Sequence, residues 1–124
     1  MSDAAAPMRL VIVDDVAQVR KDLRTALTLA GGIDVVGEAS DGQEAIELAA
    51  LLKPDVILMD LEMPVLDGYQ AARRVRARCP ACRVVALTVH GDEETRQKAF
   101  RAGIDDFIVK GVPLETLVRA VSRR

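Results

Sequence analysis

The sequence predicts an α/β fold: a doubly wound, parallel five-stranded sheet with helices on both faces. Two observations carry this. Short apolar runs, Leu10-Val11-Ile12-Val13, Val56-Ile57-Leu58-Met59, Val84-Val85-Ala86-Leu87 and Phe107-Ile108-Val109, alternate with segments of helical periodicity. Each run is also followed at once by polar residues: Asp14 and Asp15, Asp60, Thr88 and Lys110. In open α/β sheets the C-terminal ends of the strands carry the ligand crevice, at the point where strand order reverses. Three carboxylates, one hydroxyl and one ammonium are therefore expected to converge on a single pocket.

Strands are expected near 9–13, 33–39, 55–60, 82–88 and 105–109, and helices near 16–30, 41–52, 67–78, 92–102 and 113–123. The first helix presents Val16, Val19, Leu23, Ala26, Leu27 and Ala30 as an apolar stripe, and Gly31-Gly32 supplies its left-handed stop. The second presents Ala45, Leu48, Ala49 and Leu52 before Pro54 ends it. On the third, Ala71, Ala72, Val75 and Cys79 share the apolar face, which leaves Arg73, Arg74 and Arg76 pointing outward. The fourth begins with Asp92-Glu93-Glu94, suited to the positive end of a helix dipole, and exits at Gly103. Its apolar residues Ala99, Phe100 and Ala102 make no clean stripe, so it is expected to be loosely held. The fifth presents Leu114, Leu117, Val118 and Val121 behind Pro113 at a favourable first-turn position.

A chain of 124 residues, half of them apolar, suffices for one domain with one sizeable core. Residues 1–8 read as a flexible N-terminal extension. The net charge of −2 conceals an asymmetry: residues 1–60 hold eleven acids and five bases, whereas residues 61–124 hold eight acids and twelve bases. Binding of the whole domain to nucleic acid or to a membrane surface is not implied. No basic leader precedes an apolar stretch, and no apolar run approaches the roughly 18 residues of a membrane span, so a cytoplasmic location is expected. Cys79-Pro80-Ala81-Cys82 has the spacing of a thiol redox motif. The pair closes a helix rather than opening one, however, and lacks the helix N-terminus that lowers a cysteine pKa. Two reduced thiols at the edge of the core are expected.

The ordered set Asp14-Asp15, Asp60, Thr88 and Lys110, with Met59-Asp60-Leu61-Glu62-Met63-Pro64 and Asp67-Gly68, resembles the receiver domain of bacterial two-component response regulators. The resemblance runs from Arg9 to about Arg123. It implies the flavodoxin-like (βα)5 fold with strand order 2-1-3-4-5, and a phosphorylation-activated signalling switch rather than a turnover enzyme. Asp60 would be the phosphoacceptor, served by a phosphohistidine on a sensor histidine kinase or phosphotransfer protein. Mg2+, with Mn2+ as an alternative, would be held by Asp15, Asp60 and the backbone carbonyl of Glu62, with Asp14 acting through water. Thr88 and Lys110 would bind the phosphoryl group, and Thr88 with Phe107 would form the switch that alters the face of helix 4, strand 5 and helix 5. Glu62 and His90, two residues beyond Asp60 and Thr88, occupy positions that tune hydrolysis of the acyl phosphate. A weak, phosphorylation-dependent homodimer is expected, drawing on Arg96, Lys98 and Arg101 near Asp105 and Asp106.

The residue types suit that chemistry independently. Crowded carboxylates repel and raise one another's pKa unless a counter-ion intervenes. A hard dication bound by oxygen ligands relieves this. An ionised carboxylate can accept a phosphoryl group, and the transfer demands mainly in-line positioning and neutralised charge. Proline often follows the site lysine in receivers; here Gly111-Val112-Pro113 follows, and a trans peptide is expected after Lys110. Lys110-Gly111, with Ala102-Gly103 and Leu117-Val118, is most like the subfamily with a C-terminal helix-turn-helix DNA-binding domain. The output is then transcriptional, through a domain beyond these residues; a stand-alone receiver or phosphorelay module signalling by docking is the alternative. A magnesium phosphohydrolase of the haloacid dehalogenase type fits less well, since it requires an acid two residues after its nucleophile to be Asp, followed by a Gly-Thr-like turn. A flavin carrier fits poorly too, because Asp14-Asp15 would repel a phosphate.

Overall fold

Residues 6–63 and 65–123 are described by the computed structural model. β1 (Met8–Val13), β2 (Ile33–Ala39), β3 (Val56–Asp60), β4 (Arg83–Thr88) and β5 (Asp106–Val109) alternate with α1 (Ala17–Ala30), α2 (Gly42–Leu52), α3 (Gly68–Arg78), α4 (Glu93–Arg101) and α5 (Leu114–Val121). The strands are all parallel, in the order β2-β1-β3-β4-β5. Met8 is already strand, with its side chain buried. Of the extension expected over 1–8, residues 1–5 lie outside the described residues, as does Pro64 of the motif after β3.

Successive strand side chains point to opposite faces, and the central strands are apolar on both. Val11, Val13, Ile57, Met59, Val84 and Ala86 face one core, closed by Ala45, Ile46 and Ala49 of α2, Ala71, Ala72 and Val75 of α3, and Ala99 of α4. Leu10, Ile12, Val56, Leu58, Val85, Leu87 and Ile108 face the other, closed by Leu27 of α1 and by Leu117, Ala120 and Val121 of α5. Aspartates cap three helices: Asp41, Asp67 and Asp92 accept from the backbone N–H of Glu44, Gln70 and Thr95 respectively. Gly31 and Gly32 take positive φ, +83° and +76°, at the exit from α1. No peptide bond among the described residues is cis, so Lys110–Gly111 is trans as expected, and Gly111 relieves the turn with φ +100°.

Three expectations about helix faces require correction. Val16 lies outside α1 and is 48% exposed, and Ala30 is exposed as well; of the stripe, only Leu27 is fully buried. On α5, Leu114 is 45% exposed while Ala120 takes the buried place. Arg73 and Arg74 do point outward, but Arg76 turns back over the end of the sheet. Its guanidinium donates to the carbonyls of Pro80 (3.0 Å), Cys82 (3.0 Å) and Gly103 (2.8 Å) and pairs with Asp105. The long stem lets the charged head reach loop carbonyls that have no partner in a helix or ladder.

Within the chain, Asp105 and Asp106 pair with bases outside α4. Asp106 pairs with Arg123 (3.0 Å) and Arg83 (3.9 Å), while Lys98 lies 4.2 Å above the ring of Tyr69 and Arg96 lies 5.4 Å from that of Phe100. Cys79 and Cys82 are free and buried, as expected. Burial, reinforced by neighbouring Cys79, pushes the Cys82 thiol up to about 12.

Candidate functional site

The sheet order brings the polar strand ends together. β1 and β3 are neighbours, with Val13 opposite Met59, so Asp14 and Asp15 emerge beside Asp60. β4 flanks β3 on its other side, and Thr88 pairs with Val109, which places Lys110 next along the edge. One carboxylate oxygen each from Asp14, Asp15 and Asp60 lies within 4.8 Å of the others. Lys110 Nζ sits 3.5 Å from Asp60 Oδ2 and 3.9 Å from Asp14 Oδ2. Asp14, Asp60 and Thr88 are the buried polar side chains among the described residues, at 2%, 4% and 0% exposure, whereas Asp15 is exposed.

Two backbone donors and one side chain hold these groups. Val16 N–H donates to Asp14 Oδ1 (2.9 Å), Glu62 N–H donates to Asp60 Oδ1 (3.0 Å), and Arg20 donates to the Asp14 carbonyl (2.6 Å) while pairing with Glu38 (3.4 Å). Arg20 thereby ties the loop after β1 to the end of β2. Gly68 explains the Asp67-Gly68 pair, for a Cβ there would stand 2.7 Å from the Asp60 carbonyl oxygen and 2.8 Å from Leu61 Cα. Only glycine lets the start of α3 pack that closely on the end of β3.

Electrostatically the pocket is over-supplied with negative charge. Burial pushes the Asp60 carboxyl up to about 6; the Glu62 N–H and the Lys110 ammonium oppose the rise, and the charges of Asp14 and Glu62 add to it. Asp14 Oδ2 is buried and accepts no hydrogen bond, although the Lys110 ammonium is near. An orphaned buried carboxylate oxygen is costly. Two buried carboxylates, an exposed third and an unsatisfied oxygen form an all-oxygen donor set that fits a hard dication.

Thr88 does not point at an open site. Its hydroxyl donates to Glu62 Oε1 (2.8 Å) and Oε2 (3.0 Å) and accepts from His90 N–H (3.1 Å). The side chain of Glu62 is thus part of the site, at the expected tuning position two residues beyond Asp60; its bond to Thr88 is what the motif alone does not indicate. His90 is exposed, with Nε2 3.9 Å from Glu62 Oε1. Phe107 is half-buried, opposite Ala86 in the sheet and against the core on the α2, α3 and α4 side. Both expected tuning positions therefore stand at the pocket mouth, and the expected switch aromatic lies one strand away from Thr88.

A doubly wound five-stranded sheet with an aspartate triad, a buried threonine and a lysine along one edge defines a signalling receiver. Residues 10–122 match the model of the response regulator receiver domain, and the chain belongs to that family. It is 40% identical over 120 residues to the transcriptional regulatory protein PdtaR of Mycobacterium tuberculosis, covering 97% of this chain and 58% of that protein. It is 35% identical over 115 residues to the nitrate/nitrite response regulator protein NarL of Escherichia coli K12, covering 93% of this chain and 53% of the other. The signal receiver domain of the response regulator NarL from Mycobacterium tuberculosis superposes with a TM-score of 0.89 at 36% identity, covering 94% of each chain. The chain thus spans between half and three fifths of the length of these curated relatives.

Proposed function

We propose that this receiver accepts a phosphoryl group on Asp60 from a phosphohistidine of a sensor kinase or phosphotransfer protein and transmits the event through Thr88 and Phe107. The approach of Asp14, Asp15 and Asp60 within 4.8 Å, with the Lys110 ammonium 3.5 Å from Asp60, carries this reading. Asp15, Asp60 and the backbone carbonyl of Glu62 would hold Mg2+ or Mn2+, with Asp14 in support. Bound there, the dication would offset the carboxylates and the incoming phosphoryl charge.

The residues divide the remaining work. An oxygen of the ionised Asp60 carboxylate attacks phosphorus, the P–N bond breaks, and its electron pair returns to the imidazole, which takes up a proton. Lys110 supplies positive charge to the transferred group. Thr88, once free, donates its hydroxyl to a phosphoryl oxygen, and Phe107 moves into the space it leaves, altering the face of α4, β5 and α5. Glu62 and His90 stand where they order or repel the water that ends the signal. Relatives named as transcriptional regulators support a transcriptional output.

Incubation with acetyl phosphate or phosphoramidate and Mg2+ should add one phosphoryl group by intact mass. Asp60→Asn or chelation should abolish it. Undiminished labelling of Asp60→Asn would sink the assignment. Thr88→Ala should still be labelled but transmit poorly, read as a smaller change in amide exchange on α4 and β5.

A further inference from the structure

We infer that Glu62 is a positioning residue: its carboxylate holds the Thr88 hydroxyl before phosphorylation, and a phosphoryl group on Asp60 has to take that hydroxyl from it. The inference rests on Asp60 being the phosphoacceptor. A threonine hydroxyl has one proton to donate. In this protein the proton is committed to a carboxylate, at 2.8 Å and 3.0 Å from its two oxygens, by a side chain that is itself fully buried. The hydroxyl oxygen meanwhile accepts from His90 N–H, so its rotation is fixed from both sides. A hydrogen bond to an ionised acceptor is among the stronger kinds.

Glu62 is built to compete. Its own N–H is bonded to Asp60 Oδ1, so the residue is anchored to the phosphoacceptor while its side chain reaches across from the end of β3 to the end of β4. Val89 N–H, at 3.4 Å from Oε1, gives the carboxylate a second donor from the same loop. Its side chain is nevertheless 39% exposed, so once displaced it can turn into solvent without stranding a buried charge. Thr88 has no such exit. Two anions, one resident and one incoming, therefore contend for a single donor, and the resident sets how readily the switch threonine responds.

Simple repulsion between Glu62 and the incoming group would also disfavour phosphorylation, and a double-mutant cycle separates the two. The probe is beryllofluoride with Mg2+, titrated into the chain with Thr88 or Thr88→Val, each carrying Glu62, Glu62→Ala or Glu62→Gln. With Thr88 present, Glu62→Ala should tighten binding about three- to tenfold and Glu62→Gln by less, because a neutral amide still accepts but more weakly. In the Thr88→Val background the Glu62 substitutions should change affinity less than about twofold. Equal tightening in both backgrounds would mean direct repulsion and overturn the proposal, as would no tightening with Thr88 present.

A second readout does not depend on Asp60 chemistry. The Thr88 hydroxyl proton should exchange slowly enough to be seen by NMR in the ligand-free wild type and be lost in Glu62→Ala. Unchanged exchange would overturn the proposal even if beryllofluoride binds. Failure of the wild type to bind beryllofluoride, with the hydroxyl effect present, would instead count against Asp60 as acceptor while leaving the Glu62–Thr88 latch in place.

Discussion

Asp60 is the residue at which structure and chemistry are most tightly linked. Burial holds its carboxyl at about 6, whereas an unfolded aspartate titrates near 3.9. The folded state thus binds this proton more tightly, and the stabilisation it contributes is complete below about pH 4 and lost as pH rises through about 6. In chelator, Asp60→Asn is therefore expected to exceed the wild type in stability by about 1–3 kcal/mol at pH 7.5 and to match it near pH 4. Urea denaturation at the two pH values checks this, and a pH-independent difference would refute it. The thiols give a second residue-scale expectation. With Cys79 and Cys82 buried and the Cys82 pKa held at about 12, an aromatic disulfide reagent should label neither cysteine until the protein is denatured.

Among the elements, α3 spans the two ends of the sheet and makes contacts at both. Its first residue, Gly68, packs on the carbonyl of Asp60, and a Cβ there would stand 2.7 Å from that oxygen. Gly68→Ala should cost about 1–3 kcal/mol by thermal or urea denaturation and also weaken Mg2+ binding, because the Asp60 backbone has to give way. Near its last turn, Arg76 bonds three loop carbonyls and Asp105 at the opposite edge. Arg76→Ala should cost about 2–3 kcal/mol by urea denaturation while leaving Mg2+ affinity unchanged, since the lost bonds are all remote from the carboxylates. A large affinity loss in Arg76→Ala would show that the two edges communicate. α4 reads as an irregular helix from sequence, and the structure supplies the reason: Ala99 alone is buried within it, and Phe100 is 43% exposed.

Across the whole molecule the two edges of the sheet differ in character. At the edge away from the site, Arg9, Arg76 and Arg83 donate to carbonyls of Lys53, Pro80, Cys82, Gly103, Ala120 and Arg123, which satisfies loops and helix ends. At the site edge, Asp14 keeps an oxygen without a hydrogen bond. Magnesium should accordingly stabilise the fold by mass action, about 2.7 kcal/mol at a hundredfold excess over its Kd, and Asp60→Asn should lose most of that gain in a thermal shift series. Self-association has less electrostatic support than the charge pattern suggests, since Asp105 and Asp106 are paired within the chain. Sedimentation of the metal-free protein should therefore give a monomer at low and high salt alike, with any dimer confined to the beryllofluoride-bound state. A salt-sensitive dimer of the metal-free protein would place the pairing charges elsewhere.

The strands, their parallel arrangement and the meeting of Asp14, Asp15, Asp60 and Lys110 were legible in the residue pattern, while the strand order followed from the resemblance to receivers. Apolar runs buried on both faces admit few alternatives, and polar residues directly after such runs can lie only at the strand ends. The three aspartate caps were similarly local, each bonding the N–H three residues on. Tertiary structure decided what depends on contacts between distant segments. Helical periodicity places Arg76 outward, but the carbonyls that draw it inward come from two loops, one of them 27 residues away. The stripe on α1 likewise says which residues are apolar, not which of them the edge of the sheet covers. Most consequentially, residue type could mark Glu62 and Thr88 as neighbours of Asp60 but not as partners, because a sequence separation of 26 closes only when β3 and β4 pair.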